Sequence, residues 1–254
     1  MKLFSSVLYT SAIILTLSGC VQTYPLISHA HLGHTLTSWH DTPDNAGLLI
    51  TAKKEVAVAM READLAWLAQ SDPNKVNYHL NNVVNALNPD LQPIGTGEGY
   101  GAVRALEGAV EHIEYAASSD DASLNMVASV AVLGEQGATI IQRLKAAVEL
   151  TQTSQNADAQ ALGNIAFKLR HQLKFAVVGR DLDNSGSIGN ESAEIGLNQF
   201  DDQLQAMLDR ETDPPYEPLE RKYVLGLVRL PNGTWDFRIG RPLRRSTSAG
   251  YASY

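Results

Sequence analysis

From Ala46 to Arg210 the apolar residues recur at intervals of three and four, a spacing that commits this stretch to packed helices. Between Ala46 and Gln70, Leu49, Val56, Ala59, Ala63 and Leu65–Ala66 keep helical spacing, with Lys53, Lys54, Arg61 and Glu62 falling between them. Asp72-Pro73 supplies a cap and a first-turn proline for a second helix, which runs to about Asn88 and stops at Pro89. A third helix is expected up to about Ser118, and a fourth from the Ser119-Asp120-Asp121 cap to as far as Leu150. A fifth spans about Asp158 to Val178, and a sixth about Ser192 to Arg210. The alanine content of these segments suits close helix contact. The expected architecture is mainly α, an antiparallel bundle of about five to six helices.

Asp213-Pro214-Pro215 breaks the pattern. Tyr223–Leu230 and Thr234–Ile239 are β-rich and flank Pro231-Asn232-Gly233, and Asn-Gly between such runs predicts a β-hairpin. A lone hairpin is marginal in water. It is expected to pack on the bundle, with a partner's sheet edge as the alternative. The tail from Arg241 carries Arg244 and Arg245, turns Ser/Thr/Tyr-rich, and is expected to fray. The expected division is a leader at 1–19, a tether with histidines at 20–43, the bundle at 44–212, and the hairpin with its basic tail at 213–254.

Cys20 is the only cysteine, so no internal disulfide can hold the fold. It follows a basic start, Met1-Lys2, and an apolar run from Leu3 to Leu17 that is too short to span a membrane. Leu17-Ser18-Gly19-Cys20 resembles the bacterial lipobox. That resemblance implies cleavage before Cys20 and a lipid on its sulfur, which also removes a free thiol from an oxidising compartment. It places the mature chain in the cell envelope, tied to a membrane. Val21 rather than Asp after the cysteine suggests the outer membrane, facing the periplasm. No later stretch is expected to span a bilayer. The balance of 20 Lys+Arg against 28 Asp+Glu is acidic and argues against a nucleic-acid partner.

Residues 181–192 read Asp-Leu-Asp-Asn-Ser-Gly-Ser-Ile-Gly-Asn-Glu-Ser, between two helical patterns. This resembles an EF-hand calcium loop. The resemblance implies that Asp181, Asp183 and Ser185 give side-chain oxygens to Ca²⁺, and that Ser187 gives its carbonyl. Gly186 takes the sharp turn, Gly189 acts through water, and Ile188 packs inward. Position twelve is Ser192 instead of the usual bidentate Glu. Glu191 and Glu194 flank it, and Glu194 is favoured as the replacement from the first turn of the exiting helix. The reduced carboxylate count implies affinity in the range of about 10⁻⁴–10⁻³ M and a structural role, pinning the fifth helix to the sixth.

Four of the seven histidines, His29, His31, His34 and His40, lie close together. An extended chain would put His29 and His31 on one side, whereas a helical turn would pair His31 with His34. Either geometry can serve Zn²⁺, Cu²⁺ or Ni²⁺, so His29, His31 and His34 form a candidate transition-metal set. His79 and His112 sit on expected helices and could complete it. Competing readings are a polar surface near the tether for the segment, Trp39-His40-Asp41 as a helix cap, and a solvated face for His112 between Glu111 and Glu114. Gly95, Gly97, Gly99 and Gly101 alternate in a loop without the Gly-Lys-Ser/Thr of a phosphate cradle, and are read as a turn allowing close backbone approach. No nucleophile elbow occurs. The leading functional expectation is a non-enzymatic binding or interaction lipoprotein with a structural calcium ion and an envelope partner. The alternative is a periplasmic transition-metal binder.

Overall fold

The computed structural model describes residues 26–189, 191–212 and 215–216, with three short strand segments beyond. The leader, Cys20 and the tail from Arg241 lie outside the described residues. Among those described are seven α-helices: α1 (Ile27–Leu36), α2 (Leu48–Leu68), α3 (Pro73–Leu87), α4 (Ala102–Ser118), α5 (Leu124–Gln152), α6 (Ala159–Val178) and α7 (Leu197–Asp209). The chain is mainly helical, as its periodicity requires. The added helix is α1, which occupies the stretch read as tether. Helix α7 begins at Leu197, later than the expected Ser192.

Local chemistry sets most helix ends. The Asp72 carboxylate accepts from the N–H groups of Asn74 and Lys75, Ser123 Oγ accepts from Met126 N–H, and Asp158 accepts from Ala161 N–H. Helix α1 has no such residue of its own. Its first amides, Ile27 and Ser28, donate to the carboxylate of Asp121 at 2.6 and 3.0 Å, from the turn before α5. Burial works against the charged form of Asp121, but these two backbone donors outweigh it and lower its pKa. Thr35 Oγ1 also donates to Ala109 O, fastening α1 to α4.

Helices α2 and α5 are the middle of the bundle: α2 packs on α1, α3, α4 and α6, and α5 on α3, α4, α6 and α7. Small residues line the contacts, with Ala52, Ala59, Ala63 and Ala66 of α2 and Ala102, Ala105, Ala109 and Ala116 of α4 all buried. Where α4 crosses α5, a Cβ on Gly137 would lie 2.3 Å from Val110 Cγ2. Gly137→Ala is therefore expected to destabilise by about 1–2 kcal/mol, because Val110 must move. A denaturant midpoint equal to or above that of the parent would contradict the contact. Helix α5 is also long and apolar enough to cross a membrane by length and composition, which corrects the expectation that no such stretch followed the leader. It nevertheless packs against four other helices of the bundle.

No strand occurs among the described residues up to Glu211, so the expected hairpin is not seen there. Farther on, β1 (Tyr223–Val224), β2 (Leu227–Arg229) and β3 (Trp235–Phe237) pair antiparallel in chain order. Val224 lies opposite Leu227 and Arg229 opposite Trp235, so the expected single strand Tyr223–Leu230 is two. The expected turn at 231–233 lies outside the described residues.

Candidate metal centres

Two groups of side chains among the described residues have metal-ligand geometry, Asp181/Asp183/Glu194 and His31/His34/His112. Each differs from its sequence expectation by one residue or one turn.

The acidic loop joins α6 to α7. Asp181 accepts from Ser185 N–H and Gly186 N–H, and Asp183 accepts from Ser185 N–H, so both carboxylates fold over the loop. Ser185 Oγ lies 3.3 Å from both the carbonyl and the hydroxyl of Ser187. Asn184, Gly186 and Gly189 have positive φ of 58°, 86° and 112°, which coil the backbone tightly. Glu194 is buried and brings a carboxylate oxygen within 4.8 Å of those of Asp181 and Asp183. It does so from a turn closed by Glu194 N–H to Glu191 O, before α7 starts, rather than from the first turn of the exiting helix. Those extra residues compensate for Ser192. Glu191 is exposed.

The N–H groups of Leu182, Asp183 and Gly189 all donate to the Glu194 carboxylate. The bond from Leu182 is the main reason its pKa is lowered, against burial and with help from Gly189 and Asp183. The neck of the loop is tight: a Cβ on Gly196 would lie 2.3 Å from Gly179 N. Ile188 is 39 % exposed, which corrects the expectation that it packs inward. The donor set of three carboxylates with hydroxyl and carbonyl oxygens is hard and all-oxygen, which fits Ca²⁺.

The imidazole group is built by α1 and α4. In a helix His31 and His34 share a face, while His29, two residues before His31, points nearly opposite. His29 is accordingly buried elsewhere, with its ring edge-on to Tyr216 at 5.4 Å and its Nε2 4.0 Å from Glu211. It does not belong to the transition-metal set. His112 of α4 takes its place, with Nδ1 3.0 Å from His31 Nδ1. His112 is 9 % exposed, which excludes the solvated-face reading. The ring of His34 lies 4.7 Å from that of His112 and 5.8 Å from that of His31. Trp39 packs on His34 and His112, and Tyr115 on His31 and His112, walling the group with aromatic faces. Burial, joined by repulsion from His34 and His31, holds the His112 pKa down to about 4. Burial also lowers His31 and His29, against the attraction of nearby carboxylates. His40 is exposed, and His79 instead bonds Glu62 at 2.8 Å.

Sequence reasoning missed three buried carboxylates. Glu55 of α2 is fully buried and accepts from the N–H groups of Glu98, Tyr100 and Gly101, each at 3.0 Å. The alternating-glycine loop is thus a cradle of amides filled by the protein's own carboxylate. A Cβ on Gly97 would sit 2.8 Å from Glu55 Oε2, so the close approach expected there is real. Glu62, also buried, holds His79, Asn82 and Arg61; desolvation opposes its charge, but these bonds leave its pKa lowered. Glu211 accepts from Ser123 Oγ at 2.7 Å and from Asn125 Nδ2. Glu55 and Glu62 could have been found, because they fall on the stripe Leu48, Ala52, Ala59, Ala66 at intervals of three and four. Comparison of the chain with protein-family models, with curated proteins and with solved structures finds no match.

Proposed function

We propose that the mature chain is a lipid-anchored lipoprotein of the cell envelope, tethered through Cys20, most simply at the outer membrane and facing the periplasm. It is a non-enzymatic binding or interaction module, a helical bundle carrying a small C-terminal hairpin, with α6 fixed to α7 by a structural calcium ion. The observation that carries the calcium part is the convergence of Asp181, Asp183 and Glu194, each with a carboxylate oxygen within 4.8 Å of the others. Arg143 supports the loop from α5 by donating to the carbonyls of Ala193 and Ile195. A cation there replaces no hydrophobic contact; it joins oxygens that otherwise repel.

The interaction part draws on exposed apolar side chains. Leu124 is 89 % exposed on α5, with Val127 and Val132 farther along the same helix, and Ile27 lies beside the Asp121 turn that precedes it. Ile27 follows Cys20 by few enough residues that a tether of about 25 Å at most would separate them. A lipid on Cys20 would therefore keep Ile27 near the bilayer.

Calcium at about 10 mM, against a dissociation constant of about 1 mM, stabilises by about 1.4 kcal/mol. The melting temperature is expected to rise by about 3–5 °C and the rise to vanish in Asp181→Ala. An unchanged melting curve at that concentration would dismiss the calcium reading. Intact-mass measurement on membrane-derived protein tests the anchor separately: an unmodified Cys20 thiol would dismiss it.

A further inference from the structure

We propose that His31, His34 and His112 form a three-imidazole site for a divalent transition metal, with one coordination position left open. Nothing in the calcium reading requires it, and neither site contributes a residue to the other.

Three observations on geometry carry the proposal. The first is convergence from independent elements: two imidazoles one turn apart on α1 meet a third from α4, with one ring nitrogen of each within 4.8 Å of the others. A tetrahedral ion with metal–nitrogen bonds of about 2.0–2.1 Å holds its ligand nitrogens about 3.3 Å apart. The His31–His112 pair, at 3.0 Å, is already near that separation. The second is rigidity. Thr35 bonds the α4 backbone, and Asp121 caps α1, so both helices are fixed on either side of the imidazoles. Trp39 and Tyr115 limit ring rotation from two sides. The third is access. His31 and His34 are half-buried residues, but both ring nitrogens of His34 are shielded from solvent, so the side on which an ion can enter and a fourth ligand can bind is that of His31.

The donor chemistry selects the ion. A nitrogen-only set suits borderline divalent ions such as Zn²⁺ and Cu²⁺ and is poor for Ca²⁺ or Mg²⁺, which take oxygen. By the general order of divalent affinities Cu²⁺ binds more tightly than Zn²⁺. When His31 and His112 share a proton between their Nδ1 atoms, that proton passes to Nε2 of the same ring before both nitrogens can ligate. No net proton is lost from the neutral rings in that exchange. The bound ion would clamp α1, the helix next to the anchor, onto α4.

The test is titration of the full chain in mild detergent with Zn²⁺ and Cu²⁺, in the presence of excess Ca²⁺. One ion per chain is expected, with Cu²⁺ bound more tightly than Zn²⁺, and the Cu²⁺ spin-resonance spectrum should show nitrogen coupling from several imidazoles. Cu²⁺ should also quench Trp39 fluorescence, a signal absent in Trp39→Phe. His31→Ala and His34→Ala should each weaken binding by at least about 100-fold, more than the loss of a supporting contact. His40→Ala and Asp181→Ala should leave it unchanged. His112→Ala removes a buried ring and can perturb folding, so the two half-buried positions decide the matter, with metal-free melting curves showing that those variants are folded. Metal affinity unaffected by His31→Ala, or no saturable binding of either ion by the parent, would overturn the proposal.

Discussion

Glu55→Ala is expected to lower the unfolding free energy by about 3–5 kcal/mol, measured by urea denaturation. The reason is the asymmetry between making and orphaning a hydrogen bond. Glu55 is fully buried, and its two oxygens are the acceptors for Glu98, Tyr100 and Gly101 N–H. Truncation leaves those amides facing a cavity, and each buried orphan costs about 1–3 kcal/mol unless water enters. The loop cannot easily refold around the loss, because Gly101 has a φ of 90° and a Cβ there would lie 2.5 Å from Pro89 Cδ. Glu55→Gln should cost less, since one carbonyl oxygen remains, but its amide then opposes an N–H donor. A loss below about 1 kcal/mol in the alanine variant would show that the carboxylate is not the organiser of this loop.

Acidification of metal-free protein from pH 6.5 to about 4 is expected to remove about 2 kcal/mol of stability through His112. The folded chain holds this imidazole neutral, with a pKa of about 4 against an ordinary 6.5. The unfolded chain therefore takes up the proton first as the pH falls. The contribution is fully present above pH 6.5 and is lost on descending toward pH 4. The full shift corresponds to about 3 kcal/mol, and partial solvation of the neighbouring rings reduces it to about 2 kcal/mol. His31, lowered in the same direction, adds to the effect, and Glu111 opposes it. Carboxylates with lowered pKa, Glu62 and Asp121 among them, lose their contribution only below about pH 4.5, so the histidine window comes first. Denaturant midpoints with chelator present, at intervals across the range, read the slope directly. His112→Asn should flatten it; an unchanged slope in that variant would assign the acid sensitivity to other groups.

Much of the bundle was legible because helical spacing is a local property. The starts of α3 and α6 follow from Asp72 and Asp158, whose side chains bond amides two or three residues away, whereas α5 starts at Leu124 behind Ser123, later than the expected Ser119-Asp120-Asp121 cap, because Asp121 caps α1 instead. Helix α1 was not legible as such. Its cap is Asp121, far along the chain, and its apolar positions have no clean stripe because α4 covers a mixed face. The start of α7 was placed too early for a related reason. Glu194 N–H bonds Glu191 O, and Arg180 N–H bonds Glu194 O, which hold residues 191–196 in a turn that local propensity does not distinguish from helix.

The sites divide the same way. Asp181 and Asp183 are close in sequence, so their lying together in one loop could be anticipated from a known loop pattern. The histidine set could not be fixed, because it depends on whether the backbone is extended or helical. Once α1 is a helix, His29 and His31 point apart and a residue from α4 completes the group.

By itself the sequence determined the helical class, the existence and approximate extent of six helices, and the make-up of the acidic loop, since each rests on patterns within a few residues. Only the tertiary structure decided that His112 joins His31 and His34, that Glu194 reaches the loop from outside the helix, and that Glu55 fills the glycine cradle. Those pairings bring together atoms from separate helices or across a loop, and their geometry exists only when the core has packed.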